Sequence, residues 1–201
     1  MKQRLASPSD VIDLARIKDM IGIAATGNGV EIKAATTHYD VAQSDAVKKA
    51  IPALAHLASL IGDPAVRHRG TIGGSLANND PAADYPAAVL ALAATIKTNK
   101  RTIAADDYFQ GLFSTALQDG EIITAVSFPK PEKAGYAKFP NPASRYAVVG
   151  VMAAKTKDGV RVAVTGAGPG VFRDKGIEQA LSGSFSPDAV KGSSANAGDL
   201  N

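Results

Sequence analysis

Thr71, Gly73, Gly74 and Ser75 lie within one five-residue span, inside the stretch RGTIGGSLANNDPAADYP that runs from Arg69 to Pro86. Glycine has no Cβ and lets a backbone come close to a ligand. Hydroxyls and free N–H groups beside it can hold phosphate oxygens. The acids downstream, Asp80 and Asp84, suit the hydroxyls of a ribose or ribityl chain, or a ring N–H. The segment reads as half of a cradle for a dinucleotide. The bare pattern also fits a tight turn between two strands, and Asp84 also fits a helix cap ahead of the apolar run AAVLALAA. It is not GxGxxG after a strand, so the Rossmann fingerprint is not met.

Three other clusters carry groups of interest. In KFPNPASRY, Lys138 could sit over an electron-rich ring system and Tyr146 could stack on it; the segment equally fits a proline-stiffened loop with solvated charges. Arg67, His68 and Arg69 could neutralise phosphates next to the glycine pair, or form an ordinary surface charge run. GAGPG, from Gly166 to Gly170, lacks the Lys of a Walker loop and reads as a strand-to-helix turn.

Composition removes several chemistries. Cysteine is absent, so the chain has no disulfide, no thiolates for an iron–sulfur cluster and no Cys nucleophile. The three histidines, His38, His56 and His68, include no HExxH and no pair at ligand spacing on a helix, which argues against zinc. No GxSxG occurs, and no residue is assigned as an acid, base or nucleophile. The net charge of +3 is scattered over 201 residues and makes no case for nucleic acid. No apolar run reaches the roughly 20 residues of a membrane span, and no secretory h-region is visible at the start. A cytoplasmic location is the default expectation. The apolar share of 45% is enough for a real core.

The elements that must position these groups follow from pattern. Val11 to Leu14 reads as a short strand. Gly27-Asn28-Gly29 marks a hairpin. Asp40 to Ile61 reads as helix, with Pro52 near one start, ended by Gly62-Asp63-Pro64. ATIKTN and RTIAA flank Lys100 as a strand pair, DYFQGLF is a short helix or turn, and EIITAVSFP alternates as a strand. KPEKAG, at 130–135, is a connector. YAVVGVMAAKT and VRVAVTGAG are strands joined at Lys157-Asp158-Gly159, and Val171 to Gly183 is a helix. The tail KGSSANAGDLN is expected to fray.

Taken together, MKQRLASPSDVIDLARI, DPAVRHRGTIGGSLANNDPAADYPA, DYFQGLFSTAL, GEIITAVSFP and KFPNPASRYAVVGVMAA resemble the FAD-binding medium subunit of the molybdenum hydroxylases, the carbon monoxide dehydrogenase and xanthine dehydrogenase type enzymes. The stretches occur in the family's order over most of the chain. The resemblance implies an α+β fold: a two-lobed FAD-binding domain of the PCMH type over 1–131, then a small three-stranded sheet with helix of the carbon monoxide dehydrogenase flavoprotein C-terminal type over 135–201. Carried over by motif, Thr71, Gly73, Gly74 and Ser75 would hold the FAD diphosphate or its neighbouring ribityl. Asp84 would bond the cofactor's polar groups, Ile123 would lie against the isoalloxazine, Lys138 would approach the ring's polar edge, and Tyr146 would shield a ring face. Ser75 stands where the family often has Asn. The family also starts with a lobe bearing a second glycine-rich loop of the AGGxSL type and ends with a further helical segment. Met1 and Asp199 fall inside those limits, so the chain is expected to be a fragment, lacking half of the phosphate donors.

The resemblance further implies an electron outlet. Molybdopterin sits on a large partner subunit and two iron–sulfur clusters of the 2Fe–2S type on a small one, in a heterotrimer whose pairing into a dimer is open. Electrons reach FAD and leave to an external acceptor. Two rivals stand beside this reading: a flavin oxidase of the vanillyl-alcohol oxidase class with its own substrate base, and a fragment that binds no cofactor and serves only in interactions.

Overall fold

A computed structural model describes residues 8–193 of the chain. The Gly27-Asn28-Gly29 signal does turn it: β1 (Ile23–Thr26) and β2 (Gly29–Lys33) form an antiparallel hairpin. With β3 (Thr95–Thr98), β4 (Thr102–Ala104) and β7 (Ile123–Pro129) they make a five-stranded antiparallel sheet in the order β1-β2-β7-β3-β4. Alternation sets its faces. Val30 and Ile32 of β2, Ile96 of β3, and Val126 and Phe128 of β7 point into the core. Glu31, Lys97 and Ser127 meet on the outer face.

The long helix expected over Asp40 to Ile61 is three helices: α1 (His38–Gln43), α2 (Asp45–Ala50) and α3 (Pro52–Ser59). Two residues explain the breaks. Ser44 is extended, and its hydroxyl caps Val47 N, starting α2 afresh. Pro52 disfavours the helical conformation at Ile51, which sits at φ −144°. Asp63 then caps α4 (Pro64–Arg67) in the same way. Val11 to Leu14 is not a strand: it makes no sheet pairing, Val11 and Ile12 are exposed, and the Asp13 carboxylate takes the local Ala15 N–H instead.

Past α5 (Ile72–Asn78), α6 (Tyr85–Ala91) is buried at all seven positions, which is why its sequence is apolar all round. It packs between α3, α5 and a second sheet. That sheet runs β11-β10-β9-β8, from β8 (Lys133–Pro140), β9 (Ala147–Thr156), β10 (Gly159–Thr165) and β11 (Phe172–Arg173). The expected three-stranded meander is present, with a two-residue fourth strand where the sequence suggested the start of a helix. The helix itself is α8 (Lys175–Gly183), capped by Asp174. DYFQGLF ends α7 (Ala105–Tyr108) and turns through the small hairpin of β5 (Phe109–Gly111) and β6 (Ser114–Thr115). GAGPG bends back after β10, its Gly166 at φ +84° with N–H to Pro81 O. The frayed tail expected at the end lies mostly outside the described residues.

Glu121, just ahead of β7, is a buried acid held by Arg101 Nε at 3.0 Å, Thr98 Oγ1 at 2.7 Å and Gln118 N at 2.9 Å. The Arg101 bond is the main reason its carboxyl falls from 4.5 to about 2. A depressed carboxyl stabilises the fold above the unfolded value and loses that contribution as pH falls. Stability should therefore decline between about pH 4.5 and about pH 2. Chemical denaturation of Glu121→Gln across this window should show a flatter acid limb than the parent protein.

Candidate functional site

The glycine motif is a helix start. Thr71 is the N-cap of α5: its Oγ1 accepts from Gly74 N at 3.1 Å, and Gly73 and Gly74 form the first turn. This corrects the picture of a bend whose free amides await phosphate. Ile72 N donates to Thr36 O at 3.2 Å, Gly73 N to Ala34 O at 2.9 Å, Gly74 N to Thr71 Oγ1 at 3.1 Å and Ser75 N to Thr71 O at 3.0 Å, so the first four amides of α5 are all used. Gly73 is glycine for packing, because a Cβ there would come within 2.6 Å of the Ala34 Cβ and 2.8 Å of the Ala34 O. Gly74 differs: a Cβ there would meet only Thr71 Oγ1, at 3.1 Å, and otherwise open space.

That space belongs to two cavities that share the start of α5. The first, of about 420 Å³, is lined by Thr71, Gly74, Ser75, Asp84 and Tyr146, together with His38, Asp80, Arg69 and Arg145. The second, of about 330 Å³, is lined by Gly73, Ile123, Leu14, Met20, Leu117 and Glu121, and again by Thr71 and Gly74. So the structure brings five of the eight expected residues to one cavity and puts Gly73 and Ile123 on the other. Ile123 and Tyr146 line different cavities.

Asp84 is not a working cap. It precedes α6 but makes no capping bond. Its carboxylate, 4% exposed, instead takes Tyr136 OH at 2.6 Å and Lys138 Nζ at 2.9 Å. Burial pushes the carboxyl up, and the Tyr136 hydroxyl and Lys138 ammonium pull against it. Lys138 lies in β8, not in a loop. Side chains two apart share a face, so Tyr136 and Lys138 point together beneath the cavity. Gly150, opposite Lys138 on β9, leaves room for the Tyr136 ring, whose hydroxyl a Cβ would strike. The Lys138 side chain is 2% exposed and also bonds Leu60 O at 3.1 Å, so it touches the cavity only through Asp84.

Tyr146 is half exposed at the rim. It closes a turn built by Asn141, whose Oδ1 accepts from Ala143 N and Ser144 N, with Arg145 at φ +62°. Neither Arg145 nor Arg69 forms an ion pair among the described residues, and both line the first cavity. The rest of the basic triplet is otherwise engaged. Arg67 bonds Ile61 O and Gly62 O, while His68 stacks on Tyr39. Sequence reasoning passed over three residues: His38, Arg145 and Tyr136. For Tyr136 the signal was the alternation in GYAKFP.

A model of the FAD binding domain in molybdopterin dehydrogenase matches residues 1–131. The chain belongs to this family. The carbon monoxide dehydrogenase medium chain of Afipia carboxidovorans is 41% identical over 142 residues, covering 68% of this chain and 49% of that one. The glyceraldehyde dehydrogenase medium chain of Sulfolobus acidocaldarius is 34% identical over 95% of this chain and 72% of its own length. Among solved structures, the carbon monoxide dehydrogenase of Hydrogenophaga pseudoflava superposes with a TM-score of 0.86 at 34% identity, over 95% of this chain and 71% of that one. The chain thus spans about half the length of the Afipia relative and about seven tenths of the other two. The match agrees with the family resemblance and the α+β architecture read from the sequence. Among the described residues no helix is long and apolar enough to cross a membrane.

Proposed function

We propose that this chain holds FAD across the start of α5 and serves as the flavin-bearing part of a molybdenum hydroxylase type oxidoreductase. The observation that carries the proposal is the pair of cavities with Thr71 and Gly74 in both walls. A dinucleotide has two ring systems joined by a diphosphate. Such a ligand, straddling the helix start, would set its anionic middle beside the Thr71 and Ser75 hydroxyls, which can donate to it. The bare Cα of Gly74 leaves room for it.

In this reading the isoalloxazine takes the polar first cavity. Asp84, fixed by Tyr136 and Lys138, bonds the ring's polar edge, and Tyr146 covers a face. The second cavity, with Ile123, Leu14 and Met20, takes the adenine end. FAD, when bound, supplies the step between one-electron and two-electron carriers. The protein's part is to orient it, exclude water and set the charge around it. Lys138, neutralised by Asp84, serves to hold that carboxylate in place at the cavity wall. The sequence has no Cys to hold iron–sulfur clusters; partner chains would carry those and the molybdopterin, and the flavin held here would link them to an external acceptor. The two portions, 1–131 and 135–201, both contribute walls to the first cavity.

The assembly isolated with its partner chains should contain FAD in proportion to this chain, released on denaturation and identified by mass. Assemblies that contain the chain and carry no flavin would exclude the proposal.

A further inference from the structure

His38 is the first residue of α1, and three contacts fix it against the cradle. Its backbone N–H bonds Gly70 O at 3.0 Å, the Thr37–Thr71 bridge joins the two helix starts, and its ring leans on Tyr85 with centroids 5.3 Å apart. The residue is 5% exposed, yet it lines the first cavity. Nδ1 is fully enclosed with no hydrogen-bond partner among the described residues. Nε2 lies over Gly70, whose missing Cβ would come within 2.5 Å of it, and Gly70 lines the same cavity.

A ring buried in this way costs stability unless something uses it, since buried polar atoms are almost always bonded. Packing alone would be better served by an apolar side chain. Burial lowers the His38 imidazole to about 4, so it is neutral at physiological pH. A neutral ring carries one proton. Unpartnered buried donors are rarer than unpartnered acceptors, so the proton belongs on Nε2, with the lone pair shut in at Nδ1. A single N–H donor then faces the cavity.

Resting on the FAD reading above, we propose that His38 Nε2–H donates a hydrogen bond to an acceptor on the polar edge of the isoalloxazine, making His38 a ring-positioning residue of the site. It complements Asp84: one side chain donates to the ring and the other accepts from it.

The test uses the flavin-depleted assembly. Binding of FAD, and separately of ADP as a probe that lacks the ring, is measured for the parent, His38→Phe, His38→Gln and His38→Asn. Gln places an amide N–H near the Nε2 position, Asn near Nδ1. His38→Phe should bind FAD about tenfold more weakly, the worth of one hydrogen bond, with shifted flavin absorption bands and unchanged ADP affinity. Gln should recover most of the loss and Asn should not, a comparison that holds between two polar variants even if Phe disturbs folding. Equal FAD affinity in all four proteins overturns the His38 assignment and leaves the FAD site standing, as does an equal loss for ADP. A parent that binds ADP but not FAD overturns both.

Discussion

Lys138→Met should lower the unfolding free energy by about 3–5 kcal/mol at neutral pH, the cost of stranding one partner of a buried ion pair. The pair qualifies: the Lys138 and Asp84 side chains are 2% and 4% exposed and 2.9 Å apart. Met keeps the length of the stem and removes the ammonium. Asp84 then keeps only the Tyr136 hydroxyl, and its already raised carboxyl rises further. A folded carboxyl above its unfolded value penalises the native state once it ionises, so the deficit should shrink as pH falls towards the carboxylate range. The double variant Asp84→Asn with Lys138→Met should be more stable than Lys138→Met alone, because nothing charged is left behind. Urea denaturation of the three proteins at two pH values measures this. A Lys138→Met protein as stable as the parent at neutral pH would show that water reaches Asp84.

The two adjacent glycines should separate folding from cofactor binding. Gly73→Val pushes a side chain into the backbone of Ala34, where neighbours cannot yield, and should cost at least the roughly 1–3 kcal/mol typical of overpacking. Gly74→Leu puts its side chain into the space shared by the two cavities. It should leave the melting temperature near that of the parent, since only Thr71 Oγ1 has to give way and Leu favours helix more than Gly does. Its flavin affinity should drop on the order of a hundredfold, equivalent to about 2.7 kcal/mol. Flavin content after purification and thermal melting read the two effects apart. Gly74→Leu retaining full flavin would remove the diphosphate from the start of α5.

The contrast also shows what a sequence can display. Hairpins at Gly27-Asn28-Gly29 and Lys157-Asp158-Gly159 were legible because turn chemistry is local. The strand alternation of EIITAVSFP was legible for the same reason. The breaks at Ser44 and Pro52 were readable too, yet the apolar spacing runs through them and suggested one helix. At the site, the glycine pair and Asp84 were visible as residue types, but not their tasks. Gly73 answers to Ala34, in the turn just past β2 and nearly forty residues earlier in the chain. Asp84 answers to Lys138, 54 positions later. His38 looked ordinary because its setting is made by Gly70 and Tyr85, which only the folded chain brings near. Long-range partners decide roles, and pattern carries no record of them.

The loop from Asp80 to Asp84 is held by the second sheet, from the C-terminal part of the chain. The Thr165 hydroxyl lies 2.9 Å from Pro81 O and 2.7 Å from Ala83 O, Ala147 N bonds Ala82 O, and Tyr136 and Lys138 grip Asp84. All four of those side chains or amides belong to the second sheet. The connector expected at 130–135, whose second half Lys133–Gly135 is already β8, is therefore a seam in the sequence and not a mechanical joint. A polypeptide cut there would lose the floor of the first cavity and bare the apolar flank of α6, leaving a sticky half-shell.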